Sequence, residues 1–544
     1  RPADPAVYSI YRKQFGDAEL VNGALFLNAL LPVSSSAGLY AFGGANFRDT
    51  DAYAWTREAD SERNVPAIYP NGFDPHITST IRDLSLSAGY RAGWSGFDVD
   101  LNSTVGSNRF HYNVEGTLNA SRGASSPTEF DAGGFSLLQN TSGLHLKRML
   151  PDFARGLSLA FGGEFRWERY SIFAGEEGSY RNYGGGGPGG AQGVPGFQPK
   201  DEVTEDRTNV GAYADLELDA TERLTLSVAA RGESYSDFGG TVTGKVAARL
   251  ALSDAVALRA SASTGFRAPS LAQIYFSSTF TDVVGGTFVD KVIAPNNSPI
   301  TAALGIPELK EEKSLNAGVG ITMKVGELTA TVDGYIVDID DRIVLTGAFE
   351  DTDPDIGDEL QALGVAAAQF FTNALDTETR GIDVVVSHQF YVGEQRFNWS
   401  LAGNFNDMEL GDIHTNAQLA GKEDIYFGAR EQAFLLASAP ASKVSLTVDH
   451  NYGRLDTQLR ITNFGRVTLI DWLDTRDVYK AKATTDLSVG YRLSNRARLT
   501  VGAVSLFNVY PTQQDTETET GGVWDAVQMG FGGAFYFARL GVRL

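Results

Sequence analysis

Histidine is the side chain best suited to acid–base or metal chemistry near neutral pH, and this sequence has six: His76, His111, His145, His388, His414 and His450. None stands at a metal-ligand spacing from another, so neither a zinc site nor a catalytic histidine is indicated. The absence of cysteine removes thiolate metal sites, iron–sulfur clusters and disulfides. Residues 184–196, GGGGPGGAQGVPG, have the glycine content of a phosphate loop. They lack a following Lys-Ser/Thr and a helix to lend its N-terminus, so a flexible surface loop is expected. The acidic stretch Glu350, Asp351, Asp353, Asp355, Asp358 and Glu359 resembles a calcium loop in its alternating aspartates. Gly357 falls one place late for the tight turn and no Glu occupies the twelfth position, which favours a solvated loop. No serine triad or paired-carboxylate constellation stands out. No catalytic, metal or cofactor-binding residue is assigned, and no enzymatic activity or cofactor is expected.

The elements that would position any site are strands. Leu224, Leu226, Val228 and Ala230 alternate with Thr225, Ser227, Ala229 and Arg231, the two-residue period of a strand with one apolar face. The pattern recurs at Val444, Leu446 and Val448, and at Leu487, Val489, Tyr491 and Leu493. Segments of about ten residues suit tilted strands crossing a bilayer. Short polar joints at Ser253-Asp254, Gly453-Arg454 and Ser494-Asn495-Arg496 read as hairpin turns on one side. Long Gly-, Pro-, Asn- and Asp-rich stretches at 173–206, 273–309, 347–379, 411–440 and 511–524 read as loops on the other. Within them, residues 360–371 (LQALGVAAAQFF) have helical spacing. Tyr213, Tyr235, Tyr335, Tyr491 and Tyr536 fall near strand ends, where interfacial girdles sit. Inward Arg231, Arg249, Arg259, Arg492, Arg539 and Arg543 are expected to pair with acidic neighbours or a plug.

Composition agrees. Sixty glycines, 21 tyrosines and 32 phenylalanines in 544 residues form a β-rich profile. No apolar run is long enough for a membrane helix, the best, 24–33, being broken by Asn28. A net charge of -22 opposes nucleic acid as a partner. A propeller or sandwich array would also alternate, but no repeat of propeller length is present.

Thr264-Gly265-Phe266-Arg267-Ala268-Pro269-Ser270-Leu271 matches a signature of TonB-dependent outer-membrane receptors. In order after it come Leu309-Lys310-Glu311-Glu312-Lys313-Ser314-Leu315-Asn316, with Glu311 where the family has Pro, and the strand 332–343 with Asp333, Tyr335, Asp341 and Arg342. Asn373-Ala374 through Arg380-Gly381-Ile382-Asp383, then Leu506-Phe507-Asn508, then the closing strand 535–540 complete the series. The chain is thus similar to that family from Thr264 onward, and more loosely at 90–110 and 161–170.

The resemblance implies an all-β fold: a transmembrane antiparallel β-barrel of 22 strands with long extracellular loops and short periplasmic turns. It places the protein in the Gram-negative outer membrane, against outer-membrane lipid and lipopolysaccharide. Barrel-like sequence begins near residues 8–31, so one barrel over 1–544 is expected, with no plug domain in this chain. The function it implies is TonB-dependent uptake of a scarce nutrient of the siderophore, vitamin or saccharide class. The plug would then lie on a separate chain, coupled to TonB–ExbB–ExbD. The alternative is a non-transporting barrel that anchors other envelope proteins.

Overall fold

A computed structural model describes residues 18–284, 287–471, 474–514 and 528–543. The chain rises and falls in antiparallel hairpins. The first ten strands are β1 (Ala18–Ser34), β2 (Ala37–Tyr53), β3 (His76–Trp94), β4 (Phe97–Glu115), β5 (Glu129–Leu150), β6 (Leu157–Phe173), β7 (Val203–Asp219), β8 (Leu224–Tyr235), β9 (Gly239–Ala251) and β10 (Val256–Arg267). Next come β11 (Ser278–Val284), β12 (Thr287–Ala294), β13 (Glu312–Val325), β14 (Leu328–Leu345), β15 (Phe349–Glu350), β16 (Ala367–Val392) and β17 (Gln395–Ile413). The last are β18 (Ser442–Tyr452), β19 (Leu455–Phe464), β20 (Val467–Ile470), β21 (Arg476–Tyr479), β22 (Lys482–Arg492), β23 (Ala497–Val504) and β24 (Phe535–Val542).

One sheet holds 22 of these strands, and β20 and β21 form a separate hairpin. Within the sheet, β11, β12 and β15 belong to the long loops, joined through a parallel β12–β16 pairing and a short β15–β16 pairing. The continuous wall is the remaining 19. Its edges among the described residues are β1, paired with β2, and β24, paired with β23. Both edge strands run from the long-loop side to the short-turn side, so they cannot pair antiparallel with each other. Closure takes an odd number of further strands, those next to β1 and β24 running the opposite way.

Turn placement follows the expected asymmetry. The hairpin joints at Ser253-Asp254, Gly453-Arg454 and 494–496 are tight turns, and Gly453 takes φ +58°, which glycine adopts without a Cβ clash. Long loops at 54–75 and 116–128, which carried no strong sequence signal, lie on the opposite side with 174–202, 268–311, 346–366 and 414–441. The stretch 511–524 lies largely outside the described residues, as do residues 1–17 and Leu544.

Side chains sort by strand parity. On β3 the residues Leu84, Leu86 and Tyr90 face outward with Leu101 and Val105 of β4, and all are exposed apolar groups; Leu84 is 54% exposed. A surface of that kind is stable against lipid, where each such side chain contributes about 1.5–3 kcal/mol. The alternate residues meet polar partners. Asp83 accepts from Arg48 at 2.8 Å and from Asn108 at 2.6 Å, and Asp100 accepts from Tyr40 at 2.8 Å and Arg91 at 2.8 Å.

Three expectations need correction. Residues 360–371 are not one helix: the helix is Gly357–Ala362, and β16 starts at Ala367. Gly364 at φ +70° ends the helix, and the small Ala367 and Ala368 pair with β15, so strand pairing overrides the helical spacing. Of the five tyrosines, Tyr491 and Tyr536 face outward, whereas Tyr213, Tyr235 and Tyr335 point inward to polar partners. The glycine-rich segment is exposed only at 184–186; residues 188–192 are buried, with Gln192 accepting from Arg57 at 2.9 Å. Its glycines permit that close approach: a Cβ on Gly187 would lie 2.7 Å from Ala120.

Candidate functional site

Seventeen of the eighteen motif residues named above lie on β10, β13, β14 and β16 or the loops beside them, most of them toward the long-loop side. Arg267 ends β10 directly opposite Glu312, the first residue of β13. The guanidinium grips the carboxylate with two hydrogen bonds, that from Nε to Oε2 at 2.6 Å. Glu312, almost fully buried, also accepts the backbone N–H of Ile343 at 2.7 Å, so one carboxylate ties three strands together.

Beside it, β14 shifts register between Ile339 and Ile343, with Asp341 at φ +59°. Asn373 spans this irregularity: its amide donates to the Asp341 carbonyl at 2.6 Å and the Lys310 carbonyl at 3.1 Å, and accepts the Lys310 N–H at 3.0 Å. The Lys310 ammonium then pairs with Asp341 at 2.9 Å. Arg342 donates to Thr377 at 3.1 Å. Ala268 leads out of β10, the Pro269 carbonyl accepts from Arg207 at 2.6 Å, and Ser270 caps the helix Leu271–Tyr275. The Phe266 ring stands edge-on to Tyr235. Leu309 N–H donates to Asn296 at 2.9 Å.

Lower on the same strands, a Cβ on Gly265 would lie 2.6 Å from the Ser314 hydroxyl, which itself accepts from Asn316 at 3.1 Å. Asp333 takes two hydrogen bonds from Arg259, and Tyr335 packs on Gly381 and accepts from Asn404 at 3.0 Å. Asn508 stands apart, between β23 and β24, at φ +56° with its side chain accepting from Ala534 at 2.9 Å.

Above this region three loops share one apolar core. Leu304 and Ile306, Phe349 and Leu360, and Phe370 with Tyr426 are buried together. Tyr426 and Thr372 share a hydrogen bond of 2.8 Å, and Asn416 donates to the Leu304 carbonyl at 2.9 Å. In the acidic stretch 350–359, where Asp355 and Asp358 are exposed, Lys422 reaches Asp353 at 2.7 Å and Asp355 at 2.8 Å. The Asp353 carboxyl stays below its ordinary range although burial pushes the other way, because Lys422 hydrogen-bonds its charged form; the Asp353 contact likewise raises the Lys422 ammonium.

The inward wall carries further ion pairs that no motif marked. Arg231 bridges Glu164 and Glu233, Arg207 holds Glu168 at 2.6 Å, and Arg498 meets Asp456 at 3.1 Å. Inward parity was their only sequence signal. Arg231 and Arg259 pair as expected, whereas Arg492 donates to the Gly453 carbonyl and Arg539 stands by the Phe537 ring. No group of three or more His, Asp or Glu side chains could hold a metal ion among the described residues.

An outward apolar band, an inward polar wall and loops of opposite length on the two sides define an outer-membrane β-barrel. The family model described as TonB dependent receptor-like, beta-barrel matches residues 27–509, and the chain belongs to that family. Its members are transporters and receptors of the Gram-negative outer membrane. Solved structures of similar fold include the siderophore receptor PirA of Acinetobacter baumannii, at TM-score 0.64 and 14% identity over 98% of this chain and 72% of that one. The ferric enterobactin receptor PfeA of Pseudomonas aeruginosa, as a mutant, aligns at TM-score 0.63 and 15% identity over 97% and 70%. The FrpB iron transporter of Neisseria meningitidis gives 0.61 and 12% over 97% and 73%. No curated protein matches the sequence.

Proposed function

We propose that this chain is the wall of an outer-membrane importer for TonB-dependent uptake of a scarce nutrient of the siderophore, vitamin or saccharide class. The observation that carries the reading is the inward face. From Asp83 and Arg48 on one side to Asp456 and Arg498 on the other, it is lined by hydrogen-bonded and charged groups. Such a wall suits contact with a polar plug and passage of a hydrated cargo, and it is unlike the apolar filling of a structural barrel.

In this reading the strands form the barrel wall, a plug fills its lumen, and TonB–ExbB–ExbD couples that plug to the inner membrane. The clasp formed by Arg267, Glu312, Lys310, Asp341 and Asn373 fixes the strand ends from which the cargo-facing loops spring. Iron chelates are the first cargo to test, because PirA and PfeA are named as siderophore receptors and FrpB as an iron transporter.

The test is uptake of radiolabelled iron chelates, cobalamin and oligosaccharides by cells expressing the protein, with and without TonB. Uptake of one class that disappears without TonB is the expected result. No TonB-dependent uptake of any class, with stable envelope partners and no plug, would replace the importer by an anchor.

A further inference from the structure

Arg82 of β3 and Arg109 of β4 are direct cross-strand partners on the outward face. They sit at the upper border of the apolar band, just above Leu84 on β3, and both are exposed. Two like charges in direct register destabilise a strand pair unless something between them carries the opposite charge. Elsewhere on the outward rim the sequence supplies that charge itself. Arg169 of β6 lies opposite Asp206 of β7 and makes two hydrogen bonds to it, at 2.7 and 2.8 Å. Arg380 of β16 lies opposite Asp407 of β17 and pairs with Glu378. Arg82 and Arg109 have no carboxylate at ion-pair distance among the described residues.

The surroundings form a recess of about 540 Å³, completed by Thr80, His111, Asn113 and Asp131. Its one carboxylate, Asp131, makes both of its contacts through Oδ1, to His111 at 2.8 Å and from the Gly133 N–H at 2.8 Å. Arg109 is held in place, its guanidinium carbon 4.2 Å from the Phe173 ring centroid. Two guanidinium side chains lining one recess, above lipid-facing leucines, suit a phosphate monoester at a membrane surface.

We infer that Arg82 and Arg109 form an outward-facing phosphate site that binds the phosphorylated sugar headgroup of a lipid in the outer leaflet. The recess takes a phosphate together with its sugar, and the acyl chains would lie along Leu84, Leu86, Leu101 and Val105 below it. The inference depends on the membrane orientation of the wall and is independent of whether the barrel imports anything.

The test compares detergent-purified, lipid-stripped protein with the variant R82Q/R109Q by native mass spectrometry, using bisphosphorylated lipid A as the probe. The wild type should retain lipid A at least about tenfold better than the variant, as expected for loss of two charge-assisted contacts. R82K/R109K, which keeps the charge but not the planar fork, should fall between them, and heat-modifiable migration checks that all three are folded. Fully dephosphorylated lipid A should bind the wild type no better than the variant. Equal retention by wild type and R82Q/R109Q, or equal binding of the dephosphorylated lipid, would overturn the site. Complete displacement by inorganic phosphate would assign it to a soluble ligand and overturn the lipid assignment.

Discussion

Tyr335 lies flat across Gly381, its cross-strand partner, so closely that a Cβ there would fall 2.2 Å from the ring. The same arrangement recurs where Tyr40 covers Gly89, with a Cβ 2.4 Å from its ring. In both cases the ring shields a glycine in an inward-facing row, a device that holds register in a curved sheet. Gly381→Ala should therefore destabilise the barrel by about 1–3 kcal/mol through overpacking. Loss of heat-modifiable migration at lower temperature would show it. Adding Tyr335→Ala should restore part of the loss, because the clash is removed.

The clasp makes unequal demands on its two partners. Glu312→Ala removes the acceptor of a buried Ile343 N–H as well as the Arg267 pair and should cost about 2–3 kcal/mol. Arg267 is half-exposed, so Arg267→Ala should cost only about 1 kcal/mol. Urea titration of the two variants in detergent checks the order, and equal losses would contradict it.

The loop contact between Asp353 and Lys422 sets a pH limit. The Asp353 carboxyl is depressed in the folded loops, so its contribution is complete above the ordinary aspartate value of about 3.9 and is lost as pH falls through the depressed one. Lys422 is raised, and its contribution persists until pH climbs past its ordinary range. Pepsin should cut the 346–366 loop faster as acidity increases past the aspartate range. Asp353→Asn should be cut at that faster rate before the drop, and identical cleavage of both proteins would rule the contact out as the cause.

Deleting residues 273–309 should abolish substrate uptake while the wall still assembles, since β10 and β13 remain paired along their length. The deletion also removes Leu304 and Ile306 from the shared loop core, uncovering Phe349, Phe370 and Tyr426. Increased binding of an apolar dye at intact barrel migration is the expected signature. Unchanged uptake would remove this loop from the cargo path.

The wall was legible in the sequence because its period is two and its outward residues face lipid, as at 224–231 and 444–449. Loop structure was not. At 360–371, helical spacing of apolar residues arises from a short helix followed by a strand whose buried faces line one core, which periodicity alone cannot separate. Tyr213 and Tyr235 were placed at an interface by position along the strand, when one residue of parity decides between lipid and lumen. The clasp residues were visible as a series, but their partners Asn296, Arg207 and Asp376 come from other loops and strands, and no local signal announces them.

Because the chain has no cysteine, the alternation can be read directly by placing one at each position of 258–263 on β10. In membranes, Cys at 258, 260 and 262 should resist a charged thiol reagent and react with a lipid-soluble one. Cys at 259, 261 and 263 should react with the charged reagent. Reactivity without that two-residue period, or charged-reagent labelling at every position, would contradict a membrane-spanning wall with a polar lumen.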